Sequence, residues 1–225
     1  MSSDKTPPRY SKWLEYVFDR PVTQSGWYFD SEDTDFDADE IELTALVTHT
    51  LENCGSDLAA YSEAQINHGL QYIFDGSCSQ VAGALMSDNV PIELRLQAVS
   101  AIKFLYRDCF SLRCAPVLGH IGESGANSLN YICYMLWDVS PLSYWERTAS
   151  PDKEVFYNAV VDVLEDALNS TNPACVESAL HGLGHILSSH IGRVPQVISA
   201  YQKRNLLASS QLKLYAQSAS VGRVL

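Results

Sequence analysis

The sequence predicts an all-α fold, and three observations carry that expectation. Apolar residues recur at three- and four-residue spacing in one segment after another, the period of a helix face. The two-residue alternation of half-buried strands is nearly missing, and β-branched runs are short. Helix start signals recur along the chain and leave only short connections. With 225 residues, 46% hydrophobic and 19% charged, the chain can bury a full core without metal or disulfide staples and reads as one domain spanning residues 1–225.

The first helix is expected over residues 10–19, where Trp13, Leu14, Val17 and Phe18 form a stripe and Pro21 ends the run. Residues 21–40 read as a non-helical acidic and aromatic linker. A helix begins near Ala38 and continues to about Asn53, with Ile41, Ala45, Leu46 and Leu51 facing inward. Ser62 followed by Gln65 fits a capping box, and Ile66, Leu70, Ile73 and Phe74 form the apolar face behind it. A short helix covers 79–86. Pro91 suits the first turn of a long helix to about Phe110, because the missing N–H costs nothing there; its face is Leu94, Ala98, Ala101, Ile102 and Leu105. Residues 114–126 hold Pro116 and three glycines and read as a loop. Helices follow over 127–137, with Tyr131, Tyr134 and Trp137 as core residues and Pro141 as the stop, and from Asp152 to Leu168. The last three run from Pro173 to about Ser189, from Val194-Pro195 onward, and over 209–217.

The net charge is −12, and its layout says more than its size. Residues 21–94 hold fourteen acidic residues and no Lys or Arg, whereas acids and bases nearly balance on either side. Acidic groups repel phosphate, so nucleic acid and anionic membranes are poor partners; a basic protein surface, or a cation, is the electrostatically sensible one. The apolar runs, such as 131–137, are far too short to span a bilayer. Residues 1–10 are polar with two prolines, unlike the apolar stretch of a signal peptide. The six cysteines form no Cys-x-x-Cys pair and several lie in apolar helical stretches, so free thiols in a reducing cytoplasm are expected.

Two segments share a pattern. Residues 68–73 (His-Gly-Leu-Gln-Tyr-Ile) match residues 181–186 (His-Gly-Leu-Gly-His-Ile) at four of six positions, and Leu94 to Ile102 places Ala101-Ile102 where the others have Gly-Leu. The shared feature is a small residue beside a large aliphatic one, which lets helices approach closely. Here the residues resemble the HEAT/armadillo class of α-helical repeats. Residues 91–105 are similar to its pattern of proline, arginine, spaced alanines and a leucine, and residues 176–184 look like a second copy, with Glu177 where the pattern usually has a base. Arg95 and Glu177 are 82 residues apart, which is two repeats at a period of about 40–47. The resemblance covers about half the chain. It implies a right-handed stack of antiparallel helix pairs, a HEAT-like α-solenoid with irregular repeats and a partner-binding surface, and it brings no catalytic residues.

Candidate chemistry gathers at two places. His181 and His185 stand four apart on one helix face, a spacing that can hold one metal ion, and His190 follows five residues on. His68 occupies the position equivalent to His181 without a second histidine, which favours a packing role. The acidic run alternates Asp33, Asp35, Asp37 and Asp39 before Glu40. Counted as a calcium loop from Asp33 it fails, because Ala38 and Thr44 stand where glycine and glutamate are required. It reads either as a solvated segment before a helix start or as a recognition patch for a basic partner. Trp27, Tyr28 and Phe29 adjoin it and either anchor the linker or contact that partner. No phosphate loop, dinucleotide fingerprint or nucleophile elbow occurs, so no cofactor is expected. The reading is a non-catalytic protein–protein interaction module: an adaptor, or an immunity-type inhibitor occupying a basic site. Its expected contacts are Trp27, Asp33, Asp35, Asp37, Asp39 and Glu40. The alternative is a metal-dependent hydrolase using His181, His185 and a carboxylate from another helix.

Overall fold

Polar side chains start several of these helices by satisfying the orphan amides of the first turn. In a computed structural model, which describes residues 6–22, 26–29, 35–143, 152–189, 192–204 and 208–224, every regular element is helical. The order is α1 (Tyr10–Phe18), α2 (Glu40–Glu52), α3 (Cys54–Asp57), α4 (Glu63–Phe74), α5 (Val81–Ala84), α6 (Ile92–Phe104), α7 (Ser111–Arg113), α8 (Ser128–Val139), α9 (Lys153–Ala167), α10 (Pro173–Ser189), α11 (Val194–Arg204) and α12 (Ser210–Ala219). A π-helical segment, Leu105–Phe110, joins α6 to α7, and 3-10 turns occupy Trp27–Phe29 and Pro141–Ser143. Asp39 caps α2 by accepting from the Glu42 amide at 2.8 Å, and the Ser62–Gln65 capping box forms at the head of α4. Asn127 and Asn130 build a second box on α8, missed in the sequence because Asn stands at both positions. Pro91 lies at the N-cap of α6, just outside the first turn, where its carbonyl accepts from the amides of Leu94 and Arg95.

Two expected faces are corrected. On α2, Ile41 is 47% exposed and Ala45 is exposed too, while Leu43, Val47, Thr44, Thr48 and Thr50 join Leu46 and Leu51 inside. The threonines pass as apolar because each hydroxyl donates to the carbonyl four residues back, at 2.7–2.8 Å. On α8, three-residue steps rotate around the helix instead of following one stripe. Tyr131 is therefore exposed, Tyr134 half-buried and only Trp137 fully buried.

The helix contacts run in two series. In one, α2 packs on α6 and α6 on α9; in the other, α4 packs on α8, α8 on α10 and α10 on α12. The pair α9–α10 bridges them, and α1 touches both α2 and α4. The two matching His-Gly-Leu segments lie on α4 and α10, in the same series. Arg95 on α6 and Glu177 on α10 lie in different series, so residues 91–105 and 176–184 are not equivalent copies. Each is nonetheless buried: Arg95 pairs with Asp88 at 3.4 Å and with Asp152, at the head of α9, at 3.2 Å.

Close packing depends on helical glycines, two of them at the small positions of the shared pattern. A Cβ on Gly69 would stand 2.3 Å from the Phe18 ring, and one on Gly182 would stand 2.7 Å from Trp137 Cγ and 2.9 Å from Leu164 Cδ2. The small positions of the shared pattern thus admit an aromatic ring against the helix backbone. Helix α10 is enclosed along most of its length, with every residue from 174 to 184 buried. Its polar groups must therefore find protein partners. The Ser178 hydroxyl donates to the Cys133 carbonyl on α8 and lies 2.6 Å from the Tyr106 hydroxyl, which in turn accepts from Trp137 Nε1 at 2.7 Å. All six cysteines are free thiols; Cys78 is half-buried and the other five are buried.

Two measurements check this packing. Gly182→Ala is expected to destabilise the chain by about 1–3 kcal/mol through overpacking. Gly83→Ala on α5, with no atom within 4 Å of the added methyl, should raise stability by about 0.5–1 kcal/mol. Urea unfolding of the two variants reads both signs. Tyr106→Phe, which strands Trp137 Nε1 and leaves Ser178 one partner fewer, should cost about 1–3 kcal/mol in the same assay.

Candidate functional site

Four-residue spacing puts Glu177, His181 and His185 on one stripe of α10. Facing it, α8 supplies Tyr134 and Asp138 at the same spacing, α12 supplies Tyr215, and the loop before α8 supplies Gly119 and His120. The result is a polar ladder in an otherwise apolar interface. Glu177 is 1% exposed and accepts from the Gly119 and His120 amides at 2.7 and 3.0 Å, while the His120 ring Nδ1 also contacts its carboxylate. The His120 ring stacks on Tyr215, with centroids 4.2 Å apart. Tyr215 and Tyr134 hydroxyls meet at 3.3 Å. His181 Nδ1 lies 2.6 Å from the Tyr215 hydroxyl. At the last rung, His185 Nε2 lies 2.9 Å from His181 Nε2 and 3.2 Å from Asp138 Oδ1.

Burial sets the protonation of this ladder. Desolvation, with a smaller contribution from His185, pushes His181 down to about 3, so its imidazole is neutral at pH 7. Burial also lowers His185, against the pull of Asp138, and raises the phenols of Tyr134 and Tyr215. Beyond Tyr215, a cleft of about 480 Å³ opens between His120, Ser218, Gly222, Arg223 and Val224. Of the three histidines read from the sequence, two come together and His190 lies outside the described residues. Glu177, Asp138 and Tyr215 were missed. Glu177 stood out only as a departure from a repeat pattern, and nothing local marks Asp138 or Tyr215, since α8 and α12 reach α10 by tertiary packing. His68 does not share the role of His181: it is half-buried at 6.3 Å from the Tyr28 ring, its pKa lowered by desolvation.

The acidic segment divides into acids used locally and acids facing solvent. Asp39 is the cap of α2. Glu40 accepts from the Ser87 hydroxyl at 2.7 Å and Asn89 Nδ2 at 2.9 Å, and these bonds hold its carboxyl below the usual range. Arg9 clasps Glu42 with two bonds of 2.9 and 2.6 Å. Asp35 and Asp37 remain exposed on a cleft of about 510 Å³, lined further by Phe36, Ala38, Leu43, Tyr72, Gln80 and Val81. Asp33 lies outside the described residues. Trp27 anchors the linker: it is 4% exposed, packed on Tyr72 and Tyr16 with the Arg20 guanidinium 4.5 Å over its ring. Its ring therefore turns inward, and it serves as the linker's anchor. Phe29 is the exposed member of that cluster, at 58%. The cleft and the ladder share no residue and no helix.

No known family, curated protein or solved structure matches this chain.

Glu177→Gln keeps the shape but gives up the charge that accepts two amides and a ring nitrogen. It should lower stability by about 1.5–3 kcal/mol, the range for hydrogen bonds to charged groups. Hydrogen exchange at Gly119 and His120 should accelerate before exchange in α10 does.

Proposed function

We propose that this chain is a protein-interaction module whose partner presents a basic surface. The cleft bearing Asp35 and Asp37 carries that reading. Its rim is acidic, its floor is Phe36, Leu43, Tyr72 and Val81, and the segment around it, residues 21–94, holds no Lys or Arg. A lysine or arginine matches such a place along its whole length: the methylene stem covers apolar floor while the charged head meets carboxylates. Of the expected contacts, Asp35 and Asp37 fit this role best. Asp39, Glu40 and Glu42 are engaged within the chain and contribute field more than contact. Acidic focusing speeds encounter with a basic partner and makes it salt-sensitive. The same field repels phosphate, which supports a protein partner over nucleic acid.

The two contact series support a further reading of the scaffold as a HEAT-like stack. Of the pairs such a stack needs, α9–α10 and α11–α12 are in contact, and the matching histidine segments lie in one series. A non-catalytic stack of this kind serves as an adaptor or as an inhibitor that occupies a basic site. Among the described residues, no helix is long and apolar enough to cross a membrane. Six unpaired thiols support a reducing compartment such as the cytoplasm.

The test is a capture experiment with wild-type chain and the Asp35→Asn/Asp37→Asn double variant, at low salt and at about 0.5 M salt, where the Debye length falls to a few ångströms. The captured partner should be basic, held at low salt, released at high salt and weakly held by the variant. Acidic partners, capture that grows with salt, or equal capture by the variant would overturn the reading.

A further inference from the structure

We propose that Asp138, His181 and His185 form a binding site for a divalent transition-metal ion, with Zn²⁺ the best chemical match to two imidazoles and one carboxylate. The three ligand atoms come from two helices and all lie within 4.8 Å of one another. His185 Nε2 stands 2.9 Å from His181 Nε2 and 3.2 Å from Asp138 Oδ1. An ion bound at about 2.0–2.1 Å by tetrahedral ligands spaces those ligands about 3.3 Å apart; the two edges at His185 are already close to that, and the His181–Asp138 edge, within 4.8 Å, closes on binding.

Proton counting favours a cation over hydrogen bonds alone. An imidazole nitrogen has one in-plane direction, holding either a hydrogen or a lone pair. His185 Nε2 faces two groups, His181 Nε2 and the Asp138 carboxylate, and one hydrogen cannot point well at both. If that nitrogen is instead an acceptor, its lone pair faces the carboxylate. An ion placed among the three atoms takes a lone pair from each at once. The surroundings suit it as well. His181 Nδ1 is held by the Tyr215 hydroxyl at 2.6 Å, the outer-shell contact that fixes ring orientation in metal-ligating histidines. The His181 side is sealed, while the Asp138 side chain is 38% and the His185 side chain 17% exposed. An ion here keeps a coordination position towards solvent. This inference is independent of the partner-binding reading, because the acidic cleft lies on other elements.

The experiment is titration of tag-free, metal-stripped chain with Zn²⁺ by calorimetry, and with Co²⁺ by visible absorption. Asp138→Asn and His185→Gln are compared with wild type. Asp138→Asn is isosteric at a partly exposed position and His185→Gln keeps a polar group, and circular dichroism confirms that each is folded. Wild type should bind one Zn²⁺ per chain. Co²⁺ should give ligand-field bands of nitrogen and oxygen ligation, without the intense near-ultraviolet band of a thiolate. Tyr215→Phe, which touches only the outer shell, should weaken binding by about 10–100-fold, and each ligand variant should lose more than that. No stoichiometric binding, a thiolate band, or unchanged affinity in whichever ligand variant is folded would overturn the proposal.

Discussion

A helix buried on every side along residues 174 to 184 imposes the constraint on which the rest of this structure depends. That helix is α10, and a stretch enclosed in this way belongs to the core. Three of those residues are nonetheless polar: Glu177, Ser178 and His181. Each leaves an expensive orphan unless another element comes to meet it. Ser178 draws in α8 and the π-helical segment, Glu177 fixes the loop at Gly119 and His120, and His181 reaches Tyr215 on α12. Polar satisfaction therefore selects which helices surround α10, and Gly182 sets how near they come. The ladder of titratable groups is a by-product of that enclosure, which is why it is neutral at its centre, with solvent reaching it towards its ends, at Asp138 and His185 and at His120.

Much of the fold was legible from residue spacing and start signals. Proline, serine and asparagine marked helix starts because the orphan-amide problem is local, and α4, with Ile66, Leu70, Ile73 and Phe74 inside, is the clearest case. Faces were harder to read. The α2 threonines, counted as polar, hide their hydroxyls on their own carbonyls and face the core. The repeat pattern aligned Arg95 with Glu177 by spacing, against residue type. Which series a helix joins is a tertiary property, and these two joined different ones.

The candidate site was half legible for a related reason. Two histidines four apart lie on one face whatever surrounds them, so that pair could be read from the sequence. Whether they ligate or merely pack depends on what stands opposite, and Asp138 sits 43 positions before His181 with no local signal. The acidic run was visible as composition. Its division into acids that cap, acids that pair and acids that face solvent required the positions of Ser87, Asn89 and Arg9.

The distribution of sulfur has a practical consequence. Five of the six thiols lie in the interior and Cys78 sits half-buried after α4. Burial also pushes Cys78 up to about 11, leaving little thiolate at neutral pH. An alkylating reagent thus finds a poor target in the native chain and six in the denatured one. Mass added per molecule becomes an internal clock for global opening, requiring no fluorophore and no engineered label.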